Sequence, residues 1–312
     1  MTSFLAVWDV YQLVPMLMAL GIAIVTTFLA LRTFRLITAA DLSFYRYNLK
    51  SSGKIRQAGW AFLSLSILWI GLNAHSGWVR YNERAGTTAF ESVRIPDELA
   101  LARPNPDRWL SQSDRQNITE GKAHFRSAMD AGLFVNKEAL PKLAWLEYLS
   151  GNTEQAADLL GTAAEYQTGQ GQALSLYYRG AILNRLGRHD EALRSLELAL
   201  AERPDLVVAA EEKGEALWHL GRRTEAVSVW NDTIARTPGL PITANFLAGA
   251  AAAAGDPNAA AYQQQADRIT PADPLFHWML GLRLQNIGMN DQANKHFERA
   301  IQLNPQFKRA LN

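Results

Sequence analysis

The sequence contains no cysteine among its 312 residues. Without thiols the chain forms no disulfide bond, no thiolate nucleophile, no cysteine-ligated iron–sulfur cluster and no covalent link to a c-type haem. The same absence does not identify a compartment, because a chain without thiols tolerates oxidising and reducing surroundings alike.

The chain also lacks an excess of charge of one sign. It holds 31 Lys and Arg residues against 30 Asp and Glu residues. This balance excludes nucleic-acid binding through a strongly basic surface, because such surfaces neutralise phosphates with many Lys and Arg side chains. The balance conceals a local difference: residues 1–56 carry six basic and two acidic side chains, so the remainder is mildly acidic.

Patterns typical of catalysis or metal binding are scarce. No glycine-rich phosphate loop follows a strand pattern, and no two histidines stand at i, i+4 as on a metal-binding helix. Gly187-Arg-His-Asp190 sets a histidine beside an acid, but these residues coincide with a turn of the repeat described below. We therefore expect a protein that is not an enzyme and holds no cofactor or metal. The histidines are His75, His124, His189, His219, His277 and His296.

Two long uncharged runs stand near the amino terminus, Val10–Leu31 with 22 residues and Gln57–Val79 with 23. A helix needs about 20 apolar residues to cross a bilayer. We predict a membrane anchor over residues 1–80 with spans at about 10–31 and 58–76. His75 is expected at the headgroups, and a role for it inside the membrane stays open. A cleaved signal peptide is the alternative for the first run, but it needs a basic start and a shorter apolar core.

The loop between these runs, residues 32–56, holds six Lys or Arg residues and one acid, Asp41. Basic short loops stay in the cytoplasm, so both termini are predicted to be periplasmic in a bacterial inner membrane. The opposite orientation would carry the basic loop across the membrane. Thr38-Ala-Ala-Asp41 resembles a helix-capping box and predicts a short helix along the inner leaflet, with a docking site or a solvated turn as alternatives.

The next stretch, residues 81–112, is predicted to be a proline-containing linker between membrane and soluble domain. We expect a short helix over Asp97–Ala102 and extended chain over residues 103–106. Residues 113–136 are predicted to hold a helix that caps the following domain at its N-terminal end. The prolines of the linker are Pro96, Pro104 and Pro106.

A 34-residue repeat organises the rest of the chain. Small residues at the eighth and twentieth positions let two helices approach, glycine makes the turn between them, and a large residue at the twenty-fourth fills the gap towards the next unit. The register predicts five units, at about residues 137–170, 173–206, 207–240, 241–273 and 274–307. It is clearest where Gly180, Gly187, Ala192, Ala199 and Pro204 are followed 34 residues on by Gly214, Gly221, Ala226, Thr233 and Pro238.

This spacing resembles the tetratricopeptide repeat (TPR), a helix-turn-helix module of 34 residues. The resemblance implies an α-solenoid of about five repeats over residues 137–312. Together with the two predicted N-terminal transmembrane helices, this makes the expected fold all-α. In such an array neighbouring units share one core, and the accumulated rotation creates a concave inner surface.

The first helix of each unit lines that surface in this family. The resemblance therefore implies a protein-binding groove, favoured by aromatic residues beside Arg185; the alternative is that these aromatic residues pack inside the array. The Lys and Asn residues with which chaperone-binding members hold a terminal carboxylate are not reproduced. The candidate groove residues are Trp145, Tyr148, Tyr177, Asn184, Arg185, Glu211, Glu215, Trp218, His219, Asn245, Trp278, Leu282, Gln285 and Asn286.

The overall arrangement is similar to the TPR chaperones of c-type cytochrome maturation. We predict a membrane-anchored scaffold that binds protein partners on the periplasmic side, as an assembly factor or chaperone for a membrane or periplasmic complex. Its spans are expected to contact lipid and membrane-embedded subunits. The alternative function is that of a permanent accessory subunit in a respiratory or photosynthetic membrane complex.

Overall fold

The computed structural model describes residues 2–103, 109–133 and 135–310, with side chains described from Leu20 to Phe307 within these ranges. The chain divides into two compact units, Met1–Tyr81 and Asn82–Asn312. The described residues are mainly helical, and one small sheet lies in the first unit. The extended chain predicted over residues 103–106 lies mostly outside the described residues.

The first unit begins with helix α1, Thr2–Thr38, and continues through a three-stranded antiparallel meander into helix α2, Gln57–Ser92. Helix α2 runs beyond the boundary between the units, which falls after Tyr81. In the meander, Leu42 pairs with Lys50 and Lys50 with Ile55. Its strands are β1 (Leu42–Phe44), β2 (Tyr47–Ser51) and β3 (Lys54–Ile55).

The meander replaces the short helix predicted along the inner leaflet, and that prediction is wrong. Tyr45 and Ser52 adopt positive φ angles of 52° and 50°, which reverse the chain twice and exclude a helix. Asp41, which was expected to cap a helix, instead accepts a hydrogen bond from the Ser52 backbone N–H at 2.7 Å. A side-chain oxygen that binds a backbone N–H in a turn competes directly with helix capping.

Among the described residues one helical stretch, Leu20–Thr38, is long and apolar enough to cross a membrane. The prediction of two spans is therefore not supported. Helix α2 falls short because its strongly apolar part ends near Leu72, before Asn73 and His75, and a span requires about 20 apolar residues.

The second unit contains the predicted short helix, α3 (Asp97–Ala102), followed by α4 (Gln112–Ala131) and five helix pairs. Each pair lies within one predicted repeat unit except that α7 starts four residues before its unit. The pairs are α5 (Ala139–Leu149) with α6 (Thr153–Tyr166), α7 (Gly169–Arg185) with α8 (His189–Glu202), α9 (Val207–His219) with α10 (Arg223–Arg236), α11 (Pro241–Ala254) with α12 (Ala259–Ile269), and α13 (Pro274–Asn286) with α14 (Asn290–Leu303).

The large residue of each clear unit packs onto the small residue of the same unit. A Cβ atom added to Gly214 would lie 2.0 Å from Nε1 of Trp230, and one added to Gly281 would lie 2.6 Å from the ring of Phe297. The twenty-fourth position therefore closes its own helix pair and not solely the gap to the next unit. Trp230 also reaches the next unit, where its ring centroid lies 5.2 Å from that of Phe246.

The N-terminal layer of the array consists of α4 together with the last turns of α2. The ring of Phe125 lies 2.9 Å from a Cβ built on Gly86, and Asn82 contacts His124 at 2.9 Å. The last turns of α2, which were assigned to the linker, thus pack against α4 in this layer, because Gly86 lets α4 approach closely.

Candidate protein-binding groove

Helix α3 lies against α7 and α13, two of the helices expected to line the concave face. Its last three residues are almost fully buried: Ala100 is 0%, Leu101 3% and Ala102 1% exposed. The described part of the predicted linker is therefore not a solvated spacer here. We call the segment Asp97–Arg103 the groove segment.

Three side chains of the array donate hydrogen bonds to three consecutive carbonyls of the groove segment. Tyr148 Oη binds the oxygen of Ala100 at 2.9 Å, and Arg185 Nε binds that of Leu101 at 2.7 Å. Asn286 Nδ2 binds the oxygen of Ala102 at 3.1 Å. The last turn of a helix leaves its carbonyls without intrahelical partners, and these donors satisfy them. All three donors belong to the candidate groove residues.

The start of the groove segment is held by a side chain that the sequence analysis did not select. Asp97 accepts a short hydrogen bond from the hydroxyl of Tyr178. Burial raises the pKa of Asp97, while the Tyr178 hydroxyl opposes that rise. Burial likewise raises the pKa of Tyr178, and the neighbouring carboxylate adds to it, so the phenol stays a donor.

Aromatic rings form one wall of the groove. The ring of Trp145 lies 5.3 Å from that of Tyr148 and 5.6 Å from that of Tyr178, and the rings of Tyr177 and Tyr178 are 4.8 Å apart. Tyr177 is 7% exposed, and burial raises its pKa well above the ordinary value. Burial raises the pKa of Tyr148 to about 12, which keeps its hydroxyl protonated and able to donate.

A buried ionic network lies beneath the groove segment. Arg185 binds Glu212 at 2.8 Å and Glu215 at 3.2 Å. Arg283 binds Glu211 at 3.1 Å and Glu212 at 3.4 Å, and it also makes a short contact with Glu215. Arg283 joins α13 to α9 and thereby skips the fourth unit. Glu212 and Arg283 were missed by sequence reasoning, because neither stands at a family groove position.

The network keeps both guanidinium groups charged in the interior. Burial alone would lower the pKa of both guanidinium groups. Glu212 and Glu215 raise that of Arg185 above the ordinary value, and the same two carboxylates together with Glu211 raise that of Arg283. Unpaired buried charges are costly, so each partner is needed by the others. The network therefore fixes Arg185 in the position from which it reaches Leu101.

Four further candidate residues hold the array together and do not touch the groove segment in any described hydrogen bond. Asn184 donates to the backbone oxygen of Glu212 at 3.0 Å, and Trp218 Nε1 donates to that of Ile287 at 3.1 Å. Asn245 Nδ2 donates to the hydroxyl of Thr270 at 2.9 Å. Trp278 is 4% exposed and packs on Phe297 with centroids 4.9 Å apart.

The remaining candidates divide between core and surface. Leu282 is buried, and Glu211 accepts a hydrogen bond from the hydroxyl of Thr243 at 2.6 Å. His219 and Gln285 are exposed. The ring of His219 stacks on His189 at 4.2 Å, and burial lowers the pKa of both imidazoles. His219 and Gln285 are the two candidates most open to solvent.

A family model supports the repeat assignment. Residues 142–207 match the family described as tetratricopeptide repeat. The matched range covers most of the first predicted unit and all of the second. The prediction of this repeat family is therefore confirmed, while the match says nothing of membrane anchoring. No curated protein matches the chain.

Several solved structures are similar to parts of the chain. MamA residues 41 to the end from Desulfovibrio magneticus RS-1 is 21% identical, covers 56% of this chain and 98% of its own, with a TM-score of 0.41. TTC0263, a thermophilic TPR protein of Thermus thermophilus, is 20% identical over 56% of this chain and 99% of its own, with a TM-score of 0.42.

YrrB, described as a TPR protein with an unusual peptide-binding site, is 15% identical, covers 62% of this chain and 81% of its own, and has a TM-score of 0.36. Identities and TM-scores this low make the ligands of these proteins uninformative about the present groove.

Proposed function

We propose that this chain, whose residues 142–207 match the tetratricopeptide repeat family, is a membrane-anchored scaffold that binds protein partners through its groove. It acts as an assembly factor or chaperone for a membrane or periplasmic complex, and its role is one of binding and not of catalysis.

The observation that carries this proposal is the capture of a main chain by side chains. Tyr148, Arg185 and Asn286 donate to backbone carbonyls and not to side chains of the groove segment. Main-chain hydrogen bonds supply affinity in peptide recognition, while pockets for side chains supply specificity. The groove therefore has the chemistry of a peptide-binding surface.

The apolar surface of the first unit supports the anchor. Large side chains on α1 and α2 are more than half exposed, and a soluble surface rarely gathers so many of them. They are Leu20, Ile24, Leu31, Phe34, Ile37, Leu65, Ile67 and Leu68. Lipid or membrane-embedded protein would cover them.

The side of the membrane on which the repeats lie depends on α2. Helix α2 has a shorter apolar part than a full span, so a crossing by it requires that its turns around Asn73 and His75 lie among the headgroups. With the basic loop 32–56 inside, such a crossing places the repeats in the periplasm, which we propose. Without that crossing, the same rule places them in the cytoplasm. A reporter fused after Asn312 and active only outside the cytoplasm tests this: activity is expected, and inactivity of the expressed fusion would contradict the periplasmic placement.

The alternative is a permanent accessory subunit of a respiratory or photosynthetic complex. It is favoured by the polar residues Asn73 and His75 within α2, since a helix of this composition suits contact with other membrane helices more than with lipid. Purification in mild detergent separates the two roles. Stoichiometric recovery of one complex indicates a subunit, and substoichiometric recovery that rises with client synthesis indicates an assembly factor.

Site-specific photo-crosslinking in membranes tests the groove itself. A crosslinking amino acid at His219 or Gln285 is expected to capture one and the same protein. The matched control is Glu202 on α8, which is also exposed but lies on the second helix of its unit. Equal capture from Glu202, or none from the groove positions, would contradict binding through the concave face.

A further inference from the structure

We propose that the groove segment Asp97–Arg103 is an internal ligand, and that the partner inserts a segment of the same chemistry after the groove segment leaves. The partner segment is a short helix with a carboxylate at its first position, small residues at its fourth and sixth, and leucine between them. This inference rests on the proposed function and specifies its ligand.

The groove recognises the carboxyl end of a helix. The carbonyls of Ala100, Leu101 and Ala102 are the free acceptors of the last turn of α3, and each has a donor from the array. The carboxyl end of a helix carries a partial negative charge, which the guanidinium of Arg185 complements. Any helix of similar bulk presents the same three carbonyls, so this contact is independent of sequence.

Specificity comes from the space around the side chains. Ala100 and Ala102 are buried completely or nearly so, whereas Glu98 on the same helix is exposed. A larger side chain at either alanine would collide with the groove, since well-packed interiors resist added volume. At the opposite end, Tyr178 donates to the carboxylate of Asp97, which selects an acidic residue at the first position.

The groove segment depends on the groove for its helical structure, while two of the groove donors have further partners within the array. Helix α3 has six residues, and helices shorter than about 12 residues are marginal in water. Arg185 keeps Glu212 and Glu215 as partners without Leu101, and Tyr148 keeps its packing on Trp145. Arg185 and Tyr148 therefore stay in place when the segment leaves, which leaves a site with two of its three donors already positioned.

A labelled peptide tests the competition. The peptide has the sequence of residues 95–103 with blocked ends, and its fluorescence anisotropy is measured on the full chain in nanodiscs. The Ala100→Asp, Ala102→Asp double variant buries two unpaired carboxylates if its segment stays, so it releases the segment. We expect it to bind the peptide at least about tenfold more tightly than the wild type, a difference of about 1.4 kcal/mol.

Two controls accompany this measurement. Glu98→Gln changes an exposed residue of the same helix and is expected to bind the peptide as the wild type does. Adding Arg185→Ala to the double variant removes the contact with the helix end and is expected to abolish the gain. A folded double variant that binds no better than the wild type would overturn the proposal.

A disulfide lock tests the same point with a covalent bond that holds the segment on the groove. The chain has no native cysteine, and Asn286 reaches the backbone of Ala102, so Ala102→Cys with Asn286→Cys introduces a unique pair. The oxidised variant is expected to exclude the peptide, and reduction of the same sample is expected to restore binding. Equal binding in both states would overturn the proposal even if the double variant failed to fold.

The inference and the proposed function fail in different ways. If groove crosslinking captures a partner but the lock leaves that capture unchanged, the scaffold role stands and the internal-ligand inference falls. If the lock and the double variant behave as expected but groove positions capture no protein in membranes, the inference about the segment stands and the scaffold role falls.

Discussion

His296 takes part in two buried hydrogen bonds, and its neighbours decide which of its ring nitrogens donates and which accepts. Its Nε2 faces Asn245 Oδ1 at 3.0 Å and its Nδ1 faces Nδ1 of His277 at 3.0 Å. Because Asn245 Nδ2 donates to Pro241 and Thr270, its oxygen must accept, so Nε2 of His296 carries the proton. Nδ1 of His296 therefore accepts from His277.

The buried position of His296 predicts that the protein loses stability in acid. Burial lowers the pKa of His296 to about 4, with His277 and Lys295 adding to the effect and Asp267 opposing it. The folded state binds fewer protons than the unfolded state between pH 6.5 and 4. The contribution of neutral His296 to the free energy of unfolding is thus fully present above pH 6.5, and it falls by up to roughly 3 kcal/mol as the pH approaches 4.

Thermal unfolding followed by tryptophan fluorescence checks this dependence. His296→Asn removes the titrating nitrogen and is expected to reduce the slope between pH 7 and 5; the lowered pKa values of His189, His219 and His277 account for the slope that remains. His277→Gln keeps His296 and a donor to it but removes the contribution of His277, so it is expected to retain more of the slope than His296→Asn does. A wild-type curve without slope in this range would contradict the assignment.

Removing the charge of Arg283 is expected to lower the free energy of unfolding strongly. Its replacement by methionine leaves Glu211 buried without a guanidinium partner and Glu215 with Arg185 alone, which costs about 3–5 kcal/mol of unfolding free energy. Arg222→Met breaks an exposed pair with Glu225 and is expected to cost less than about 1 kcal/mol. Chemical denaturation of the two variants measures the difference, and equal losses would mean that the network does not stabilise the array.

A methyl group added at Gly214 is expected to destabilise the protein. A Cβ there would meet Nε1 of the fully buried Trp230 at 2.0 Å, so Gly214→Ala is expected to destabilise the protein by about 2 kcal/mol or more. Gly171 in α7 meets no atom closer than 3.4 Å, and its replacement by alanine is expected to be neutral or stabilising. Melting temperatures of both variants decide the point, and similar shifts would contradict it.

At the scale of elements, the repeats differ in how much apolar surface they bury. Helix α12 contributes Ala266 as its buried residue, and a separate small cluster joins this residue to Ala244 and Ala248 of α11. In α8 five residues are buried. Alanine contributes little buried area, so α12 is weakly attached, whereas α11 of the same unit buries Phe246 and Leu247 in the main core.

The difference in buried apolar surface therefore predicts different rates of amide hydrogen exchange in the two helices. Backbone amides of α12 are expected to exchange faster than those of α8, because local opening costs less where few apolar contacts break. Exchange of the full chain followed by mass spectrometry gives both helices in one experiment. Equal protection of α12 and α8 would show that neighbouring units, and not their own contacts, set the stability of the fourth unit.

The meander shows a limit of reading elements from local signals. Thr38-Ala-Ala-Asp41 has the spacing of a capping box, yet Asp41 serves the turn at Ser52 instead. The capping signal and the turn signal use the same carboxylate acceptor. The choice between them depends on residues eleven positions away, which a local pattern does not include.

At the scale of the whole molecule, the sequence by itself determined the helix pairs of the repeat array. Glycine, alanine and proline recur every 34 residues because each unit closes its own helix pair, as Gly214 and Trp230 do within one unit. That requirement is local and is repeated, so it is visible without a structure. The same applies to α3, whose bounds follow from the residues after Pro96.

Only the tertiary structure decided what occupies the groove. Asn286 and Ala102 are 184 positions apart, and Arg283 and Glu215 are 68 apart. No period links such residues, because these contacts arise from the accumulated rotation of the units and not from the packing within any one of them. The sequence indicated a surface able to bind protein, and the fold showed that a segment of the same chain already lies on it.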